Sequence, residues 1–230
     1  MVDWEQYWDH KAGEDELESM GRGGASVSEL FIYINSICHV FGNICDDDVI
    51  LDLGGGAGYV SMALSPFVKS ISLADFSDEM IKKASNQTSQ FKNINTLSDS
   101  LPNIENIKSQ KLVFSKILVG SVLQYLEDYN EIKDSFLSLY SICENKGKVL
   151  LTHNPDLTRK KSFIESYNHL KWPKEKINEA IEFEKKERFW MDYNMLEKIA
   201  LTVGFSKCKK LEIPASLFQS SHMFDLLLIK

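Results

Sequence analysis

The stretch "VILDLGGGAGYVSMAL", residues 49–64, places a carboxylate and alternating glycines at the end of an apolar run. Asp52, Gly54, Gly56 and Gly58 read as D-x-G-x-G-x-G. A phosphate-cradling loop needs G-x-x-x-x-G-K-[ST], and no lysine follows Gly58. A dinucleotide fingerprint needs G-x-G-x-x-G, but its third glycine would fall on Tyr59. Glycines between strand and helix let the backbone turn with φ > 0 and approach a ligand closely. With one residue between the last two, the turn suits a nucleoside bearing an amino-acid tail. Asp52 can then accept from a bound water or a ligand ammonium.

Two further acids follow. Asp75, in "LADFSDEM", ends the second apolar run. There a carboxylate can accept both ribose hydroxyls of a nucleoside. Asp99, in "LSDSLP", follows a weaker third run and can accept from an exocyclic adenine amine. Three acids at the carboxyl ends of successive strands would share one crevice.

These motifs resemble those of the class I S-adenosylmethionine-dependent methyltransferases, over a span from about Val49 to the C-terminus. "VILDLGGGAGYVSMAL" is similar to that family's first motif, "SLADFSDEMIKKA" to its second and "SDSLP" to its third. "LVGSVLQYLED" is similar to the fourth, "GKVLLTHNPD" to the fifth strand, and "MLEKIALTVGF" with "FDLLLIK" to the C-terminal helix and hairpin. The resemblance implies S-adenosylmethionine as cofactor and S-adenosylhomocysteine as product. It assigns their binding to Asp52, Gly54, Gly55, Gly56, Gly58, Asp75, Phe76, Met80, Asp99, Ser100, Leu101, Gly120, Ser121 and Gln124. One departure is Ser115, where the family often carries an Asp after the Phe that opens its fourth strand.

A sulfonium methyl is already electrophilic, so the chain's task is to align a nucleophile and receive its proton. Alignment supplies several kcal/mol of the barrier, and a general base adds ~10²–10⁴-fold. The ends of the fourth and fifth strands offer Tyr125 and His153 as catalytic candidates. His153 suits a general base because imidazole titrates near neutrality; a hydrogen-bonded loop histidine is the alternative reading. The arm "WEQYWDH", with Trp4, Tyr7, Trp8 and His10, either folds over the cofactor, as the resemblance implies, or packs as an aromatic staple. Arg22, in "MGRGGAS", can fork onto a carboxylate of cofactor or substrate.

Positioning these residues requires a sheet. From Val49 onward short apolar runs alternate with amphipathic stretches, the pattern of β-α repeats and a mostly parallel sheet. Strands are expected at 49–53, 70–75, 94–98, 111–119, 148–153, 207–213 and 224–230. Helices are expected at 28–41, after a Ser77 cap, after an Asp128–Glu131 capping box, and from Asn194 with Glu197 to a Gly204 stop. The segment 156–188, rich in Lys and Glu, reads as a helical insert. Its aromatics cover the pocket, and its "RKK" and "KKER" runs form solvated faces.

The expected fold is α/β, a Rossmann-like three-layer sandwich. Its seven-stranded, mostly parallel sheet has an antiparallel last strand, and it carries an N-terminal helical arm and a helical insert. One domain spans 1–230, with an arm at 1–45, a cofactor core at 49–153, the insert at 156–188 and a helix and hairpin at 189–230.

Over 230 residues the net charge of −7 disfavours a duplex nucleic-acid partner. Cys38, Cys45, Cys143 and Cys208 lack metal-ligand spacing and read as reduced thiols. With no signal-like block and no membrane-length apolar run, the expectation is a cytoplasmic monomer or homodimer without a bound metal. The expected activity is methyl transfer to an oxygen or nitrogen of a small molecule, such as a sugar, glycan or natural-product precursor. The alternatives are an RNA or protein methyltransferase, and a non-catalytic cofactor-binding or partner protein of the same fold.

Overall fold

Neighbouring residues on the central strands face opposite sides and feed two separate apolar cores. On one face Ile50, Ile71, Leu118 and Leu150 pack with Tyr33, Ile37, Phe41, Val60 and Leu64. On the other, Leu51, Leu53, Ile117, Val119 and Leu151 pack with Ile107, Ile132, Phe136, Leu139 and Leu196. Strands buried on both faces carry nearly continuous apolar runs, which is why the sequence exposes them.

The computed structural model describes residues 3–13 and 26–230. Its strands are β1 (Val49–Leu53), β2 (Ser70–Asp75), β3 (Ile94–Ser98), β4 (Phe114–Gly120), β5 (Cys143–Pro155), β6 (Lys207–Leu211) and β7 (Met223–Ile229). They form one sheet in the order β3-β2-β1-β4-β5-β7-β6. The first five run parallel, and β7 runs antiparallel to both β5 and β6. The sheet, its antiparallel end and the helices on both faces are as the sequence predicts. Strand order reverses between β1 and β4, which opens a crevice at their carboxyl ends.

The helices are α1 (Trp4–Ala12), α2 (Val27–Phe41), α3 (Tyr59–Leu64), α4 (Asp78–Thr88), α5 (Glu105–Ser109), α6 (Tyr129–Ile142), α7 (Lys160–Ser166), α8 (Lys174–Lys186) and α9 (Tyr193–Val203). Ser77 caps α4 by accepting from Met80 N. Several boundaries differ from the sequence reading: β5 runs from Cys143 to Pro155 rather than 148–153, β6 stops at Leu211, and β7 spans Met223–Ile229. β4 begins at Phe114, because Lys111 turns with φ 55° and leaves Leu112 and Val113 exposed. Asp128 caps α6 through Asn130 N and Glu131 N, but Glu131 accepts from Glu127 N, so no reciprocal capping box forms. α9 starts at Tyr193, because Asp192 supplies the cap by accepting from Asn194 N.

The insert holds α7 and α8 and is closed at its base. Leu157 N donates to Met191 O, and Met191 N donates to Pro155 O. The chain therefore leaves β5 and returns to its carboxyl end, beside the crevice. No helix among the described residues is long and apolar enough to cross a membrane.

Candidate functional site

The turn after β1 is fixed from its neighbour strand. Gly54 N and Gly55 N both donate to Ala74 O of β2, and Gly58 opens α3 in a left-handed conformation. Two glycines in this turn do different jobs. Gly54 has φ +74°, and a Cβ there would lie 2.4 Å from Val122 Cγ2 and 3.1 Å from Gly120 O. It lets β1 and β4 close on each other. Gly56 has φ +52°, and a Cβ there would meet nothing within 4 Å. It faces open space.

That space is a cavity of about 750 Å³ including its mouth. Its wall holds Asp52, Gly54, Gly55, Gly56, Asp75, Phe76, Met80, Gly120, Ser121 and Tyr125 from the sequence-predicted set. Trp8, Tyr33, Val60, Leu118 and Val122 complete it.

Its charge is concentrated in two buried acids. Asp75 accepts from Gly56 N (3.0 Å) at one oxygen and from Ser77 N (3.1 Å) at the other. Asp52 accepts from Ser61 Oγ at 2.7 Å. Burial pushes both carboxyls up to about 6; the Asp75 charge adds to the rise at Asp52, and Asp9 adds to that at Asp75. No basic side chain among the described residues ion-pairs with either. A ligand with hydroxyl donors and positive charge complements this wall.

Other predicted residues stand elsewhere. Asp99 spends its carboxylate on Ser100 N (3.0 Å) and Ile107 N (2.8 Å), tying down α5, and with Ser100 and Leu101 it is outside the cavity wall. Gly58 and Gln124 are also outside it; Gln124 Nε2 donates to Ser121 O. Arg22 lies outside the described residues.

His153 sits behind the wall rather than in it, only 3% exposed. The β5–β7 register breaks between Leu151 and Asn154, and Asn154 Nδ2 repairs the break by donating to Leu151 O and Phe224 O. Within the break His153 adopts φ 58°, and its backbone N donates to Asp225 Oδ1. Its Nδ1 lies 3.0 Å from Ser121 Oγ, and its ring stacks on Tyr33 at 4.9 Å. Ser121 is itself left-handed, at φ 59°. Two non-glycine residues in this region cost about 1–3 kcal/mol each. Both sit at adjoining strand ends and touch each other through their side chains.

The aromatic side of the cavity comes from distant elements. α1 docks on α4 through Ser77 Oγ to Asp9 (2.6 Å) and Lys83 Nζ to Ala12 O (3.0 Å). This brings Trp8 to the cavity and Trp4 onto Tyr125, with ring centroids 4.6 Å apart. Burial raises the Tyr125 phenol well above its ordinary value. In the insert, Phe183 meets Trp4 at 5.8 Å, while Phe163 stacks on His222 at 3.7 Å. Burial, with Arg188 and Arg159 nearby, pulls His222 down to about 3, so it stays neutral.

Tyr33 was not legible as a wall residue, whereas Trp8 enters the wall from the arm that the resemblance folds over the cofactor. Tyr33 shares its helical spacing with Ile37 and Phe41 and reads as core. No local pattern distinguishes its hydroxyl, which reaches Thr152 Oγ1 at 2.8 Å.

No family model matches the chain, and no curated protein matches it in sequence. Its architecture is shared widely among solved structures. N-methyltransferase NodS from Bradyrhizobium japonicum WM9, in complex with S-adenosyl-L-homocysteine, aligns over 100% of this chain and 99% of its own, with TM-score 0.64 and 12% identity. Magnesium protoporphyrin IX methyltransferase (ChlM) from Synechocystis PCC 6803, with bound SAH, aligns over 98% and 93%, with TM-score 0.65 and 12% identity. The DhpI-SAM-HEP complex aligns over 98% and 94%, with TM-score 0.63 and 14% identity. The chain has the Rossmann-like methyltransferase fold. At such identities the likeness is one of fold, and fold alone does not fix activity.

Proposed function

We propose that this chain transfers a methyl group from S-adenosylmethionine to an oxygen or nitrogen of a small-molecule acceptor. The observation that carries the reading is the pair of buried acids, Asp52 and Asp75, on a cavity into which Gly56 opens. In a nucleoside site of this fold Asp75 accepts the ribose hydroxyls, with Gly56 admitting the ligand past its bare Cα. Asp52 faces the positively charged end. Bound there, S-adenosylmethionine supplies an electrophilic methyl on a sulfonium sulfur.

The remaining work falls to the chain's own groups. Ser121 Oγ takes the proton that leaves the acceptor and passes its own to His153 Nδ1, in the tautomer that carries hydrogen on Nε2. The 3.0 Å contact between them supports this hand-over. Stacking on Tyr33 and the Asp225 anchor hold the imidazole in place. Trp8 and Tyr125 limit water at the aromatic side. A cavity walled on one side by Trp8 of α1 favours a small acceptor over a macromolecule, in keeping with the net charge of −7.

The test is incubation with methyl-labelled S-adenosylmethionine and a panel of small acceptors, bulk RNA and mixed protein. Label in a small molecule is the expected result. Label in RNA or protein, or none anywhere, would contradict the reading.

A further inference from the structure

The sequence pattern reads "KKER" as a solvated face, yet Arg188 at its end is turned inward. Its side chain is 20% exposed, and its Nε lies 3.3 Å from Oε2 of Glu184, which is 3% exposed. That contact is made through Nε, on the side edge of the guanidinium. Among the described residues the two terminal amino groups of Arg188 find no acceptor. Guanidinium normally presents parallel N–H donors to a carboxylate or phosphate, two bonds at once. Here that fork is left open.

Its position follows from the backbone. Phe189 N donates to Gln124 O at 3.3 Å, which sets Arg188 beside Tyr125, a residue of the cavity wall. The guanidinium carbon lies 5.8 Å from the Phe183 ring centroid. Phe183 meets Trp4, and Trp4 meets Tyr125. Arg188, Phe183, Trp4 and Tyr125 thus form a connected run from an open cation to the edge of the candidate methyl-transfer cavity. Its charge also reaches the Tyr125 phenol and His222.

We propose that Arg188 holds the oxyanion of the acceptor, which is a small organic acid with an apolar or aromatic body lying against Tyr125 and Trp4. Naming this occupant the acceptor rests on the methyl-transfer reading above; the recognition of an anion does not. The acidic wall at Asp52 and Asp75 takes the cationic partner, while Arg188 takes the anionic one. Opposite charges then separate the two ligands within one site.

Calorimetric titration tests this with phenylacetate, phenyl phosphate and phenylacetamide, with and without saturating S-adenosylhomocysteine. At least one of the two anions should bind the native chain ~10-fold or more tighter than the neutral amide; which of them does so names a carboxylate or a phosphate acid. Arg188→Gln should erase that preference. The double variant Glu184→Gln/Arg188→Gln should do the same without stranding a buried carboxylate, so a folding defect in the single variant does not blur the result. An amide that binds as tightly as both anions, or a preference that survives in the folded double variant, overturns the proposal. If S-adenosylhomocysteine fails to bind while the anion preference holds, the methyl-transfer reading falls and the Arg188 site stands. If it binds and the preference is absent, the reverse follows.

Discussion

The two sides of the cavity are built on different principles. The glycine-loop side is held by backbone hydrogen bonds between adjacent strand ends. Gly54, Gly55 and Gly56 each tie to β2 through Ala74 O or Asp75. The aromatic side is held by ring contacts among Trp4, Tyr125 and Phe183, from three elements far apart in the chain. One side is local, charged and rigidly positioned. The other is long-range and largely apolar, and α1 contributes no buried residue to it. A fixed ligand suits the first side, and a ligand that varies between proteins of one fold suits the second.

The sharpest way to probe the glycine-loop side is at the Ser121–His153 contact. Asn tolerates the left-handed conformation that His153 adopts, so His153→Asn should keep the fold. If His153 receives the acceptor's proton, single-turnover methylation should slow by ~10²–10⁴ while S-adenosylmethionine affinity stays unchanged. A loss below ~10-fold would remove the proton-accepting role.

The two glycines divide stability from binding. Gly54→Val adds left-handed strain and overlap with Val122, and should cost roughly 2–5 kcal/mol by denaturant unfolding. Gly56→Val places its side chain in the cavity instead. It should unfold close to the native chain after about 1–2 kcal/mol of backbone strain, yet take up no S-adenosylmethionine. If Gly56→Val binds normally, the loop is only a corner.

Acid–base linkage gives a third, intermediate effect. Asp52 and Asp75 sit at about 6 in the folded chain against an ordinary 3.8. Between those values the native state holds more protons than the unfolded state. Ligand-free stability should therefore fall as pH rises from about 4 to 6. A cationic ligand favours the ionised acids, so its affinity should climb from pH 5 to 7 with release of protons. Titration in buffers of different ionisation enthalpy reads both; proton uptake on binding would contradict the charge assignment.

The smallest effect belongs to the aromatic side. Trp4→Ala loses three ring contacts, to Tyr7, Tyr125 and Phe183, at a half-exposed position and should lower stability by about 0.5–1.5 kcal/mol. Thermal unfolding would measure it. A large loss of cofactor affinity in this variant would erase the distinction between the two sides.

What the sequence revealed follows the same divide. β1, β2 and β3 start and stop where their apolar runs do, and "DLGGGAG" with Asp75 announces the charged wall. These features are encoded by neighbours in the chain. Asp99 also looked like part of that wall, but its role as a cap for Ile107 N depends on where α5 returns. Tyr33 and Arg188 were not visible because each is defined by a partner tens of residues away, and Trp8 was visible only through the resemblance of its arm. The placement of His153 one layer behind the wall depends on a register break that no apolar pattern records.

The central claim is that the acid-lined cavity holds S-adenosylmethionine, and Asp75 is its most direct witness. Calorimetric titration of S-adenosylmethionine into native chain and into folded Asp75→Ala compares the two. The account predicts one site in the native chain, with affinity lower by about 1.5–3 kcal/mol in the variant as ribose hydroxyls lose a charged acceptor. No binding to the native chain, or equal binding to both, would contradict it.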